Sequence, residues 1–277
     1  MKLPALKIGN LTAPIPIVQG GMGIGVSRSG LASAVANAGG VGIISAVQIG
    51  YTEPDFETDH NEANVRALRR EIQNARKLSP RGILGINILV AMKSYKEMVR
   101  AAVEEKIDLI IAGAGLPTDL PSMVKDSATR IVPIVSSGKA AALMAKMWDR
   151  KYSYAPDAFV VEGPKAGGHL GFSVEELNRN PLPNLIQIVK EVLEAVKDYE
   201  DKYHKGIPII AAGGIYDGGD IAECLKAGAS GVQMATRFAA TEECDAHLNF
   251  KLAYVNCSEE DILLVNSPVG MPGRAIR

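Results

Sequence analysis

Short apolar runs recur along the chain, and each is followed by a longer stretch with helical spacing. Eight runs read as strands: 15–19, 41–46, 83–89, 109–112, 131–136, 158–162, 208–212 and 231–235. They are apolar almost throughout rather than alternating, which is the pattern of parallel strands buried on both faces. Helix candidates lie between them at 29–38, 62–77, 95–105, 120–126, 138–150, 185–199 and 219–227. Several strands end in Gly or Ser just before a helix, as in QGGMG, AGAG, VSSGK and AAGGI. Regular β–α alternation with right-handed crossovers leaves a doubly wound sheet or a closed barrel. Eight units in about 250 residues favour the barrel. The predicted fold is therefore α/β, a (β/α)8 TIM barrel, with 1–277 as a single domain. The longest segment outside the repeat, 49–61, follows the second strand on the C-terminal side, where a lid would sit.

Composition narrows the class. With 277 residues, 47% hydrophobic and 22% charged, the chain is long enough for a full core and ordinary for a globular protein. A net charge of −1 without long single-sign blocks points away from nucleic acid and from membrane surfaces. Cys224, Cys244 and Cys257 lack metal-type spacing and read as free thiols of a reducing compartment. The opening MKLPALKIGN has no apolar signal region, and no run approaches the roughly 18 apolar residues of a membrane helix. The default location is cytoplasmic.

In such barrels the active site lies at the C-terminal ends of the strands, so the residues just after each apolar run carry the chemistry. The seventh and eighth runs are followed by Gly213-Gly214 and by Gln233-Met234-Ala235-Thr236. Loops at these two positions are the recurrent phosphate site of the fold, and glycine lets backbone N–H groups approach an anion. The bland alternative is two tight turns. After the sixth run comes Glu162-Gly163-Pro164-Lys165-Ala166-Gly167-Gly168-His169. A histidine there can abstract a proton or hold an anion, and otherwise is a surface-loop residue. Gly21 and Met22, after the first run, could let a flat ring lie on backbone with soft apolar cover, or form a turn with a core methionine. Asn87, near the end of the third run, needs a polar partner, either a ligand or a neighbouring strand end. Lys139 begins a helix, against the dipole, and faces either an anion or solvent. No metal-ligand cluster is spaced along the chain, so the metal expectation is none. His60 reads as a solvated loop residue.

With these residues in hand, the chain resembles the nitronate monooxygenase (2-nitropropane dioxygenase) family, which is related to the FMN-dependent enoyl-acyl-carrier-protein reductases. The resemblance runs through PIVQGGMG, GINI, AGGHLG, AAGGI, QMATRF and the closing SPVGMPGRAIR. It implies an FMN barrel. By position, Gly21 and Met22 would lie along the isoalloxazine and Asn87 would bond to the ring. Glu162, Gly167 and Gly168 would contact the flavin or its ribityl chain. Gly213, Gly214 and Gln233 to Thr236 would hold the phosphate. His169 matches the catalytic histidine, which deprotonates a nitroalkane or holds its nitronate on the way to a carbonyl compound and nitrite. Two positions depart from the family: Lys165, usually acidic or another residue, and Glu162, often Gln. The sequence stops just after GMPGRAIR, where relatives commonly continue, so either a short tail or a truncated chain is expected.

The leading expectation is an FMN-dependent nitronate monooxygenase acting on a small-molecule substrate with dioxygen. The alternative is an NAD(P)H-dependent reductase of enoyl thioesters or quinones with the same FMN and the same histidine. A non-enzymatic flavin- or phosphate-binding module and a flavin-free phosphate-binding barrel are the further alternatives. A homodimer is compatible with all of them.

Overall fold

The computed structural model describes residues 3–267 and 270–277. Met1 and Lys2, and Pro268 and Val269 within SPVGMPGRAIR, lie outside the described residues. The chain opens with β1 (Leu6–Ile8), β2 (Leu11–Ala13), β3 (Ile17–Gln19) and α1 (Ser29–Asn37). It continues with β4 (Val41–Ser45), α2 (His60–Leu78), β5 (Ile83–Leu89), α3 (Tyr95–Glu104), β6 (Leu109–Gly113) and α4 (Leu120–Met123). Next come β7 (Arg130–Val135), α5 (Gly138–Tyr152), β8 (Phe159–Glu162), β9 (Gly168–His169), α6 (Val174–Leu177) and α7 (Leu185–Tyr203). The last elements are β10 (Ile209–Ala212), α8 (Gly218–Lys226), β11 (Gly231–Met234), α9 (Thr236–Ala239), α10 (Leu248–Asn256), β12 (Ile262–Asn266) and β13 (Pro272–Ile276).

The eight apolar runs are the strands of a closed barrel in the order β10-β11-β3-β4-β5-β6-β7-β8, and β8 pairs with β10 to close it. The neighbours are parallel, so the expected (β/α)8 barrel is the observed one. Alternate residues explain the unbroken apolar runs. Val18, Val41, Ile43, Leu109, Ile111, Val132, Val160 and Ile210 fill the interior. Their neighbours Ile44, Ile86, Ile110, Ile131, Phe159, Val161 and Ile209 pack outward beneath the helices. The helix candidates are all present, but 120–126 forms only the single turn α4. Asp126 stands at φ 68°, which ends any helical run there.

Two features escaped the sequence reading. The hairpin β1–β2 buries Leu6, Ile8 and Ala13 in the interior cluster. Leu6 reaches toward Gly231 at the start of β11, and Asn10 accepts from the Arg130 guanidinium at the start of β7, so the hairpin plugs the N-terminal end. Gly9-Asn10 between two strand-like triplets was its signal. The second is the antiparallel sheet β12-β13-β9, which crosses the chain's last residues over the loop that carries His169.

The segment 49–61 buries Ile49 and Phe56. Its Glu53 pairs with Arg66 at 2.9 Å and Arg70 at 2.6 Å, both on α2, which holds the Glu53 carboxyl below its ordinary pKa. The three cysteines are free thiols. No helix among the described residues is long and apolar enough to cross a membrane.

Candidate active site

The interior alternation decides what faces the barrel mouth. On β4, Ser45 continues the inward phase of Val41 and Ile43. On β5, Asn87 continues that of Ile83 and Gly85, and on β8 Glu162 continues that of Ala158 and Val160. Gln233 on β11 holds the same phase as Gly231. Register makes Ser45 and Asn87 direct neighbours and sets Glu162 and Gln233 on either side of Ala212. Four polar side chains therefore top an apolar column.

Their hydrogen bonding is incomplete. Ser45 Oγ and Gln233 Oε1 are buried with no partner. Buried polar atoms are nearly always paired, so two orphans in one ring call for an explanation. Glu162 is half-buried at the end of β8, and burial pushes its carboxyl up to about 8, which favours the protonated form that can donate. Sequence reasoning missed Ser45, whose only signal is its phase with Val41 and Ile43.

The loop after β3 lies on this ring. Gly20 N donates to Met234 O at 2.8 Å, and Met22 N donates to Ser27 Oγ at 3.0 Å. A Cβ on Gly21 would fall 2.4 Å from the Asn87 Cβ, so Gly21 and Asn87 are in direct contact and only glycine fits. Gln19 turns away from the mouth, donating to Ser27 Oγ and accepting from Ile43 N at 3.0 Å. Met22 is half-buried.

Next to Glu162, Gly213 and Gly214 follow β10 with φ of 98° and 76°. A Cβ on Gly213 would meet Ala166 N at 2.9 Å, so this turn and the loop after β8 interlock. The stem of Lys165 packs against Gly214. Two neighbouring helix starts are already filled. Asp245 accepts from Arg28 N, Gly30 N and Leu31 N at the start of α1, where Glu71 also accepts from Ser29 N. Asp217 and Asp220 form a capping box on α8. The start of α9, at Ala235 and Thr236, has no side-chain cap. Met234 turns its side chain outward into the helix-covered core, so only its backbone faces the mouth. Asp245 had no sequence signal, since it lies more than 200 residues from the helix it caps.

His169 is half-buried on β9, opposite Gly273 of β13. Leu170 N donates to Pro272 O at 2.8 Å, and Ser136 Oγ donates to Gly171 O at 2.7 Å, so the loop is tied on both sides. Gly167 and Gly168 border open space. Lys139 is exposed in the first turn of α5, whose cap is Ser137. His60 stacks on Phe56 at 4.5 Å at the start of α2, while His204 ends α7 and His247 caps α10. Among the described residues no group of three or more His, Cys, Asp or Glu side chains could hold a metal ion.

A family model described as nitronate monooxygenase matches residues 5–277. FabK from Thermotoga maritima superposes with a TM-score of 0.74 at 30% identity, over 95% of this chain and 71% of that one. A nitroalkane oxidase from Streptomyces ansochromogenes gives 0.76 at 25% identity, over 95% and 77%. A probable nitronate monooxygenase of Staphylococcus aureus (strain JH9) is 27% identical, over 96% of this chain and 76% of its own length. A (3aS,4S,5R,7aS)-5-hydroxy-7a-methyl-1-oxo-octahydro-1H-indene-4-carboxyl-CoA dehydrogenase of Rhodococcus jostii (strain RHA1) is 28% identical over 94% of this chain. The chain spans 62% of that relative's length. Matched from residue 5 to residue 277, the chain belongs to the nitronate monooxygenase family.

Proposed function

We propose that this protein is an FMN-dependent oxidoreductase that oxidises alkyl nitronates with dioxygen to a carbonyl compound and nitrite. The observation that carries the reading is the ring of Ser45, Asn87, Glu162 and Gln233 at the mouth, with two orphaned buried atoms and a carboxyl that burial pushes up to about 8. A flavin ring suits that set, because it offers one N–H donor and several acceptors in a plane. Asn87, Gln233, Ser45 and Glu162 would hold the ring, with Gly21 and Met22 beneath it and Gly167 and Gly168 along the ribityl chain. The Gly213-Gly214 turn and the backbone of Ala235 and Thr236 would take the phosphate, with Lys165 as the cation packed on Gly214, and Lys139, exposed on α5, as the further candidate cation. When bound, FMN supplies electron acceptance and reactivity with dioxygen.

The protein's own part is proton handling and positioning. His169, on a strand fixed by β13, takes the proton from the carbon next to the nitro group, or holds the nitronate already formed. Gly20 and Gly21 keep the floor flat. The likeness to FabK and to the CoA dehydrogenase favours one second reading, an NAD(P)H-dependent reductase of enoyl thioesters or quinones.

Anaerobic mixing separates the two readings. The purified protein is exposed to propionate-3-nitronate on one side and to NADH or NADPH on the other, with the flavin spectrum followed in time. Flavin bleaching by the nitronate without response to nicotinamide is the expected result. Rapid reduction by NADH or NADPH with indifference to nitronate overturns it in favour of the reductase.

A further inference from the structure

We infer that Ser136 is a positioning residue that holds His169 over the barrel mouth by way of Gly171. This rests on the reading of His169 as the group that handles the proton, and it adds the side chain that sets the place of the imidazole. Ser136 stands one residue past the end of β7. Val132 and Ile134 on that strand face the barrel interior, so Ser136 continues their inward phase. β7 pairs with β8 through Ile134 and Val160. Two residues on, the same register brings Ser136 beside Glu162 of the polar ring. The neighbouring Ser137 caps α5 and accepts from Ala140 N at 3.2 Å. Ser136 has no capping role. Its hydroxyl reaches to the loop after β8 and donates to Gly171 O at 2.7 Å.

Alternation along that loop gives the direction of the imidazole. Leu170 and Phe172 are buried in the core beneath the helices, so His169 and Gly171 turn the other way. A Cβ on Gly171 would lie 2.6 Å from Ser136 Oγ and 3.1 Å from Ser136 Cβ. The side to which Gly171 and His169 project is therefore the side of Ser136 and the mouth. The same contact explains the glycine, since a side chain at 171 would push the loop off the end of β7. Among the described residues, Ser136 is the one side chain that hydrogen-bonds to residues 163–172. The backbone ties of Gly168, His169 and Leu170 run to β13, outside the barrel. Beyond Ala166, the Ser136 bond is thus what fixes the loop to a barrel strand end. Its loss is felt at the reacting atoms, because about 1 Å of misplacement costs on the order of 10²-fold in rate.

The test reads the imidazole first and turnover second. The four histidines of the flavin-loaded protein are labelled with 13C in the ring and their signals recorded by NMR, with His169 identified by its loss in His169→Ala. Ser136→Ala should shift the His169 signal and leave those of His60, His204 and His247 in place. Ser137→Ala, which removes only the cap of α5, should shift none of them. An unmoved His169 signal in Ser136→Ala overturns the inference, as does an equal shift in Ser137→Ala. With nitroethane or its nitronate as substrate, Ser136→Ala should lower kcat about 10–100-fold while flavin content and KM stay at wild-type values. In a His169→Ala background the same substitution should cost nothing further, because the two residues act as one unit. Equal losses in both backgrounds mean that Ser136 does not act through His169, and overturn the inference. A His169 signal moved by Ser136→Ala alone, in a protein that oxidises neither nitroethane nor its nitronate, keeps the positioning role and rejects the nitronate reading.

Discussion

His169 and Glu162 lie seven residues apart on one loop, yet they are asked for opposite behaviour. Among the described residues His169 is tied by backbone alone, so His169→Ala removes an imidazole without removing a structural bond seen there. That variant should keep its flavin and lose about 10²–10⁴-fold in turnover of neutral nitroalkanes, the usual range for a general base. Unchanged steady-state kinetics would take His169 out of the mechanism. Glu162 is different, because burial raises its carboxyl to about 8 while the unfolded chain titrates near 4.5. Between those values the folded protein retains a proton that the unfolded chain has released. Stability from this residue is thus fully present below pH 4.5 and is lost as pH rises toward 8. Glu162→Gln should abolish that slope, and urea unfolding of flavin-free protein at pH 5 and pH 8 reads it. At about 1.4 kcal/mol per pKa unit, the wild type should lose on the order of a few kcal/mol relative to the variant across the window. Parallel pH profiles would show that Glu162 is not held neutral. Both residues were singled out by the sequence because Glu162 ends an apolar run and His169 lies in the glycine-rich loop after it. Ser45 was not, since an uncharged serine inside a strand stands out only once the inward phase is known.

At the scale of elements, the turn after β10 and the loop after β8 behave as one unit. Gly213 and Gly214 occupy positive φ, and the second packs on the stem of Lys165. A side chain at Gly214 must therefore accept a left-handed backbone, at about 1–2 kcal/mol, and displace the neighbouring loop. Gly214→Val should purify without FMN while its far-UV circular dichroism stays that of the wild type. Full flavin content in that variant would move the phosphate elsewhere. The eight barrel strands and their order could be read from the chain because each is a local apolar run. The sheet β12-β13-β9 could not. β9 is two residues long and has no periodicity of its own, and it exists only through pairing with β13 a hundred residues later. The hairpin β1–β2 is the intermediate case, with its Gly9-Asn10 turn visible in the sequence but its role as a plug visible only in the closed barrel.

At the scale of the molecule, the proposed flavin contacts come from both halves of the chain: β3, β4 and β5 from the first, β8, β10 and β11 from the second. A ligand held by both halves binds the native state alone, and its binding energy adds to stability by mass action. With free FMN at a hundred times its Kd, the gain is about 2.7 kcal/mol. For a domain of this size that corresponds to a rise in Tm of about 5–10 °C. Riboflavin at the same concentration keeps the ring and lacks the phosphate, so it should raise Tm much less if the turns after β10 and β11 hold the phosphate. Thermal scans of flavin-stripped protein with each compound make the comparison directly. Equal shifts from both would leave the ring contacts in place and remove the phosphate site. A shift from neither would mean that the polar ring at the mouth serves some ligand other than a flavin, since its orphaned atoms would then still lack the partner that explains them.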